Sequence, residues 1–374
     1  LGGDAVCWAA DRGFWRPGPL HLCPGTVDAV VGGPSCQGFS TGGVRDEDDE
    51  RNGLLAEFVR LVVAIRPRTF CLENVRGLLE PRFDAVRLSA LKTLRDAGYS
   101  ITGDDGWLNA ADFGVPQSRK RVFVLGVCDG PAPDLPEPVE GRLMVTVRHA
   151  LEGLPTVEGY SALLLSDEVQ LRSDDIVRRT RTGSAYAREL AGLAGPVNLA
   201  RLRAWDPEVT TCSLRTVHTP SVVERFRAVP PGEVEAKSRL YRLDPDVQAR
   251  TLRAGTGRER GAHTSPRPIH QELPRVITVR EAARLHGYPD WFRLAGTSWH
   301  GHRQIGNSVP PPLARAVAAR LVAALGMRPR RPRAQVVPGD DTWCRIAPAD
   351  AAALLSAITD ELPAHRARQV RPGG

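Results

Sequence analysis

Val27-Asp28-Ala29-Val30-Val31 runs straight into Gly32-Gly33-Pro34-Ser35-Cys36-Gln37-Gly38-Phe39-Ser40. The apolar run reads as a buried parallel strand, and the glycines and proline after it as a tight turn. A thiol just past the carboxyl end of such a strand faces the crevice where open α/β sheets bind ligands. Taken alone, the cysteine decides little, because a cysteine after a strand is most often a small buried hydrophobe.

The flanking sequence alternates strands and helices. Residues 4–10 read as a strand with Asp11 at its tip. Residues 54–65 carry apolar side chains at 54, 55, 58, 61, 62 and 65, a helical spacing. Thr69-Phe70-Cys71-Leu72-Glu73-Asn74-Val75 is a second short apolar strand and carries a carboxylate near its end. A helix is expected over 82–97, closed by Gly98. Two further strands, about 99–109 and 121–128, flank Phe113-Gly114-Val115-Pro116-Gln117-Ser118-Arg119-Lys120-Arg121. This rhythm predicts an α/β, doubly wound sheet over residues 1–130. Pro131, Pro133, Pro136 and Pro138 mark a linker. Residues 139–270 lose the rhythm and keep only short strand-like pieces such as Glu208-Val209-Thr210-Thr211, so a smaller inserted domain is expected there. Helical patterns at 278–286 and 311–325 return the chain to the first domain over 271–326. Residues 327–374 read as a basic, proline-rich linker with a C-terminal helix at 347–366.

The chain has 374 residues, 42% of them hydrophobic, which permits an ordinary core and argues against disorder. No apolar run has the length of a membrane span, and no signal peptide is evident. Seven cysteines without a C-x-x-C pair fit a reducing compartment rather than a disulfide framework or a zinc site, so no metal is expected. The net charge of +7 suits a polyanionic partner. Lys92, Lys120 and Lys237 are the only lysines, a bias expected of a GC-rich genome and poor evidence for arginine-specific contacts.

The Cys36 block, the Glu73-Asn74-Val75 block, the Gln117-x-Arg119-x-Arg121 block and Gln304-Ile305-Gly306-Asn307-Ser308-Val309-Pro310-Pro311, in this order, resemble the DNA (cytosine-5)-methyltransferase family. Thr278-Val279-Arg280-Glu281-Ala282-Ala283-Arg284-Leu285-His286-Gly287-Tyr288-Pro289-Asp290 resembles the family's penultimate motif. The resemblance spans roughly residues 5–325. It implies a Rossmann-like methyltransferase sheet, with 139–270 as target-recognition domain. It also implies S-adenosylmethionine as methyl donor and double-stranded DNA as partner, in a bacterial cytoplasm at the nucleoid. Whether a restriction endonuclease accompanies the chain is left open. A monomer is expected unless a second chain contributes to the fold. A tRNA cytosine methyltransferase and a catalytically incomplete DNA-binding remnant or subunit stand as alternatives; the long insert favours duplex DNA.

Carbon 5 of cytosine becomes nucleophilic only after a nucleophile adds at carbon 6, and a thiol both adds and leaves readily. The resemblance makes Cys36 that nucleophile. Glu73, with its pKa raised by burial, would donate to ring nitrogen 3. Arg119 and Arg121 lie one residue apart at the entry to a strand, so both can face one side. One would meet the carbonyl oxygen and the carboxylate, the other a phosphate, and the resemblance favours Arg121 for the base and Arg119 for supporting contacts. A base inside a duplex must be flipped out to be reached. The resemblance assigns DNA contacts to Gln37, Ser40 and Thr251, with a buried strand threonine as the other reading of Thr251. It assigns donor contacts to Asp11, Leu54, Asn307 and Ser308.

Two departures stand out. Ser35 takes the place of the proline that normally precedes the family's cysteine, which lifts a rigid φ. The family's opening Phe-x-Gly-x-Gly-Gly motif has no match, and the chain starts at Leu1. The expectation is an N-terminally truncated sheet, with gene decay or a second polypeptide as the other accounts, and weak donor binding by residues 1–374 alone.

Overall fold

The computed structural model describes residues 4–6, 19–21, 24–34, 53–103, 105–138, 144–181, 183–194, 204–255 and 267–330, with the single positions 344, 346, 350 and 353. The chain divides into two units, residues 1–21 with 339–374, and residues 22–338. In the first unit, β1 (Asp4–Val6) pairs antiparallel with β2 (Pro19–His21), Ala5 lying opposite Leu20. The strand expected over 4–10 is therefore three residues long where it is described, and its partner there is β2. The helix expected at 347–366 falls almost wholly outside the described residues.

The second unit is built on a five-stranded sheet and holds a separate two-stranded one. The elements around the larger sheet are, in chain order, β3 (Ala29–Gly32), α1 (Gly53–Ile65), β4 (Thr69–Val75), α2 (Asp84–Asp96), β5 (Ser100–Ile101), β6 (Trp107–Asn109) and β7 (Lys120–Val127). The order across the sheet is β3-β4-β7-β5, with β6 also on β7. Strand β3 feeds through α1 into a parallel neighbour, β4, as a helical crossover requires. Strands β5, β6 and β7 are joined by antiparallel ladders, and β7 is antiparallel to β4, so the sheet is mixed.

Strand β4 is central and its side chains alternate between two cores. Phe70 and Leu72 join Leu55, Phe58, Val59 and Val62 of α1 and Leu91 and Leu94 of α2. Cys71 joins Phe123 and Leu125 of β7 and Leu313, Val317 and Leu321 of a helix on the other face. That helix is the last with a described range, Pro311–Ala324, and it opens on prolines, which the first turn tolerates. Helices thus cover both faces, as doubly wound sheets require. The proline-rich linker lies against this second core rather than hanging free: Pro133 and Pro136 are buried, and Leu135 packs beside Phe123 and Leu125.

Between linker and last helix lie α3 (Val147–Leu151), β8 (Val169–Gln170), α4 (Ser173–Arg181), α5 (Ala185–Leu190), β9 (Val209–Thr210), α6 (Pro220–Ala228), α7 (Val279–His286) and α8 (Ser298–Asn307); the last helix is α9. Val147, Tyr186, Leu190, Leu243 and Leu252 share one hydrophobic cluster with Val279, Ala283, Leu285 and Ile305. The described part of 139–270 is therefore packed directly on α7 and α8.

Helix α7 is framed by a capping box, Thr278 with Glu281, and by Gly287 at φ 89°. All eight of its residues are buried, including Arg280, Glu281, Arg284 and His286. Buried charges need partners. Arg284 Nε donates to Asp290 Oδ1 at 2.6 Å and Arg179 reaches the same carboxylate, while both Arg275 amino groups reach Glu281 at 2.8 Å.

Phe70 is fully buried, with its ring centroid 5.1 Å from Tyr99 and 6.4 Å from Phe58, both edge-on. It lies opposite Gly126, where any Cβ would come within 2.1 Å of its ring. Phe70→Ala should cost about 3–5 kcal/mol. Urea denaturation of the variant should show a midpoint lowered accordingly, at an unchanged slope.

Candidate functional site

The carboxyl ends of β3 and β4 meet at one polar point. Gly32 has no room for a side chain, since a Cβ there would lie 2.6 Å from the Phe58 ring. A Cβ on Gly33 would lie 2.9 Å from Glu73 Oε2. The turn after β3 therefore passes directly over the Glu73 carboxyl. Cys36, Gln37 and Ser40 follow in sequence and lie outside the described residues, as does Asp11.

Glu73 alternates with Leu72 and Asn74 along β4 and faces the same side as Cys71. Arg121 comes from the start of β7, opposite Val75, and its Nε lies 3.0 Å from Glu73 Oε1. Arg121 Nη1 also donates to the Lys120 carbonyl at 2.8 Å. Burial pushes the Glu73 carboxyl above its ordinary range, and outweighs the opposing pull of the Arg121 and Arg119 guanidinium groups. The pair thus combines a carboxyl whose pKa is raised by burial with a fixed cation.

Arg119 takes another course. It is 1% exposed, and its guanidinium donates to the carbonyls of Leu252 at 2.9 Å, Gly306 at 2.7 Å and Ser308 at 2.9 Å. Its backbone amide donates to Asn109 Oδ1 at 2.9 Å. A guanidinium enclosed in this way does not reach a phosphate in solvent, so the phosphate contact expected of one of the two arginines is not made by Arg119. Its supporting role is to hold together the segments around Leu252 and Ser308.

Gln117, fully buried, works beside it. Its Oε1 accepts from the Leu252 amide at 3.0 Å, and its Nε2 lies 3.0 Å from His286 Nδ1. An amide nitrogen only donates, so His286 Nδ1 accepts, and Nε2–H is the end that faces the Ser308 carbonyl and hydroxyl at 3.2 and 3.1 Å. Burial, then the Arg119 charge, pulls the His286 imidazole well below its ordinary pKa, in keeping with this neutral form. The Ser308 hydroxyl also donates to the Ile305 carbonyl at 3.0 Å, so it braces the turn after α8. Nothing in sequence spacing marks Gln117 and His286 as partners, 169 residues apart.

Thr251 is exposed beside this clasp, and its hydroxyl donates to the Ser118 carbonyl at 2.7 Å. The backbone of 249–251 runs alongside 116–118, with Ala249 donating to Pro116 and Ser118 to Ala249. Leu54 at the start of α1 and Asn307 at the end of α8 both expose their side chains. The apolar groove between α1 and α2, lined by Leu55, Val59, Val63 and Val86, carries one charged side chain, Arg60, and lacks the polar convergence found at Glu73.

Comparison with known proteins places the chain in a family. The profile of the family described as C-5 cytosine-specific DNA methylase matches residues 20–323. Type II methyltransferase M.XorII of Xanthomonas oryzae pv. oryzae is 43% identical over 346 residues, which cover 92% of this chain and 79% of that protein. Type II methyltransferase M.AgeI of Thalassovita gelatinovora is 31% identical, covering 82% of this chain and 85% of its own. Among solved structures, a prophage-encoded protein of E. coli assigned as a DNA modification methyltransferase superposes with a TM-score of 0.62 at 32% identity, over 80% of this chain and 79% of that one.

Gly306 sits where a Cβ would lie 2.2 Å from the Ala254 backbone nitrogen and 2.5 Å from its Cα. Backbone cannot give way as a flexible side chain does. Gly306→Ala should therefore push the 252–254 segment off the Arg119 clasp, at a cost of about 1–3 kcal/mol. Differential scanning calorimetry should show a lowered melting temperature, and hydrogen exchange should show the Leu252 amide losing protection.

Proposed function

The chain belongs to the C-5 cytosine-specific DNA methylase family, and from that premise we propose that it methylates carbon 5 of a cytosine flipped out of a specific duplex site, through a covalent adduct on Cys36. The observation that carries this reading is the Glu73–Arg121 pair directly beneath Gly33, three residues before Cys36 in the chain.

The Cys36 thiolate adds to carbon 6, and the new C–S bond pushes electron density toward nitrogen 3 and the carbonyl oxygen. Glu73 holds a proton because it is buried, and donates it toward nitrogen 3. Arg121 orients that carboxyl and supplies a fixed positive charge where the oxygen gains negative charge. Carbon 5, now enamine-like, takes the methyl group. The proton at carbon 5 then leaves to solvent, the sulfur departs with the C–S electron pair as thiolate to restore the ring, and nitrogen 3 returns its proton to Glu73.

S-adenosylmethionine, when bound, supplies an electrophilic methyl group. The described residues suit its adenosine end: Leu54 offers exposed apolar surface and Asn307 an exposed amide. Asp11 is proposed for the ribose hydroxyls on the resemblance alone. Ser308 supports the donor site through the turn it braces. Residues 139–270 are proposed to read the target sequence, with Thr251 against the flipped nucleotide's backbone and Gln37 and Ser40 on the DNA. A restriction endonuclease that shares the site is the proposed companion.

Cys36→Ser should abolish methylation, read by bisulfite sequencing of a plasmid from expressing cells, while duplex binding persists. A duplex with 5-fluorocytosine in the methylated site should be trapped as an adduct at Cys36 and nowhere else; trapping at another cysteine would overturn the assignment. The Glu73 proton sets an alkaline limit. With its pKa raised, the acid is present below that pKa and lost as pH climbs through it, so methyl transfer should fall on the alkaline side. Glu73→Gln should lose that limb and run on the order of 10²-fold slower or worse.

A further inference from the structure

Arg76, Trp107 and Lys120 form a cluster that the chemistry above does not use. Trp107, on β6, is 40% exposed, whereas its neighbour Leu108 is buried. The Arg76 guanidinium carbon lies 5.1 Å from the indole centroid and the Lys120 ammonium 4.9 Å. Among the described residues neither cation has a carboxylate partner, unlike nearby Arg82 and Arg87, which pair with Glu80 and Asp84.

The position is as telling as the composition. Lys120 immediately precedes Arg121, and Arg76 immediately follows Val75, the residue opposite Arg121 in the ladder. The cluster therefore lies at the same end of the sheet as the Glu73–Arg121 pair, with Trp107 and Lys120 on the opposite face. Two like charges over one ring repel each other, and the negative face of the indole offsets only part of that cost. A polyanion with regularly spaced charges offsets the rest. The ring lies within 5.1 Å of both cations and so serves as their common platform.

We infer that Arg76 and Lys120, held by Trp107, bind phosphates of the duplex beside the extruded cytosine and so position the DNA over the pocket. This rests on the proposed function, since it takes the Glu73–Arg121 pair as the place to which the base is delivered. Phosphate contacts fix register and carry no sequence information, so the cluster contributes equally on any duplex.

The test is fluorescence anisotropy of the full chain on two duplexes, one with the methylated site and one of random sequence, across a series of KCl concentrations. Arg76→Ala and Lys120→Ala should each lower the slope of log affinity against log salt by about 0.9, and the double variant by roughly twice that. The loss should be the same on both duplexes. Trp107→Ala should weaken binding in the same uniform way, and Trp107→Phe should restore most of it. Arg76 and Trp107 are exposed and Lys120 is half-buried, and thermal melting of each variant checks that the fold persists. Unchanged slopes in the arginine and lysine variants, or a loss confined to the site-bearing duplex, would overturn the inference. If the wild type methylates and the variants bind as it does, this inference alone falls. If the wild type neither binds nor methylates DNA, the proposed function falls and takes this with it.

Discussion

The buried guanidinium of Arg119 is the constraint on which the site depends. It sits at the entry to β7, and its donors are spent on carbonyls of Leu252, Gly306 and Ser308, from two segments more than a hundred residues away in sequence. A charge removed from water must be compensated where it lies, and the three carbonyl dipoles contribute to that compensation here. The planar fork matters: a lysine ammonium is one point and does not span several carbonyls fixed in different directions. Gln117 completes the clasp by taking the Leu252 amide while Arg119 takes the Leu252 carbonyl, so one residue of the inserted region is held at both backbone poles.

Much of the sheet was legible because short-range rules apply to it. The helical spacing anticipates α1, whose bounds, Gly53–Ile65, follow closely, but the face turned to the core is Leu55, Phe58, Val59 and Val62, while Leu54 and Leu61 are exposed. Glu73 and Arg121 were legible as block residues, yet their contact follows from a ladder register, Val75 opposite Arg121, that no local pattern encodes. Cys36, Gln37, Ser40 and Asp11 remain motif assignments, since they lie outside the described residues. The His286–Gln117 contact was not legible at all: a histidine in a helix reads as a surface residue until the packing around it is known.

The same limit explains α7. Its sequence is rich in charge, and the helical pattern at 278–286 does not show that every residue in it is buried. Pairing makes this possible, Arg284 and Arg179 on Asp290 and Arg275 on Glu281. Such pairs seldom add net stability compared with apolar packing, but they tolerate few alternative arrangements, because any other would leave a charge uncompensated. The abundance of arginine looked like a compositional accident of the genome. Arg119, Arg179, Arg275, Arg280 and Arg284, all nearly inaccessible, are instead parts of the interior.

The direction of β7 has a consequence for how the pocket is furnished. In an all-parallel sheet, only the trailing ends of strands reach the ligand edge, and side chains there hang on the loops that leave the sheet. Here one strand runs the other way, so a leading end arrives at that edge beside the trailing ends of β3 and β4. Arg121 stands inside a ladder, held by hydrogen bonds on either side, rather than on a departing loop. The reversal converts what would be a swinging cation into a stationary one.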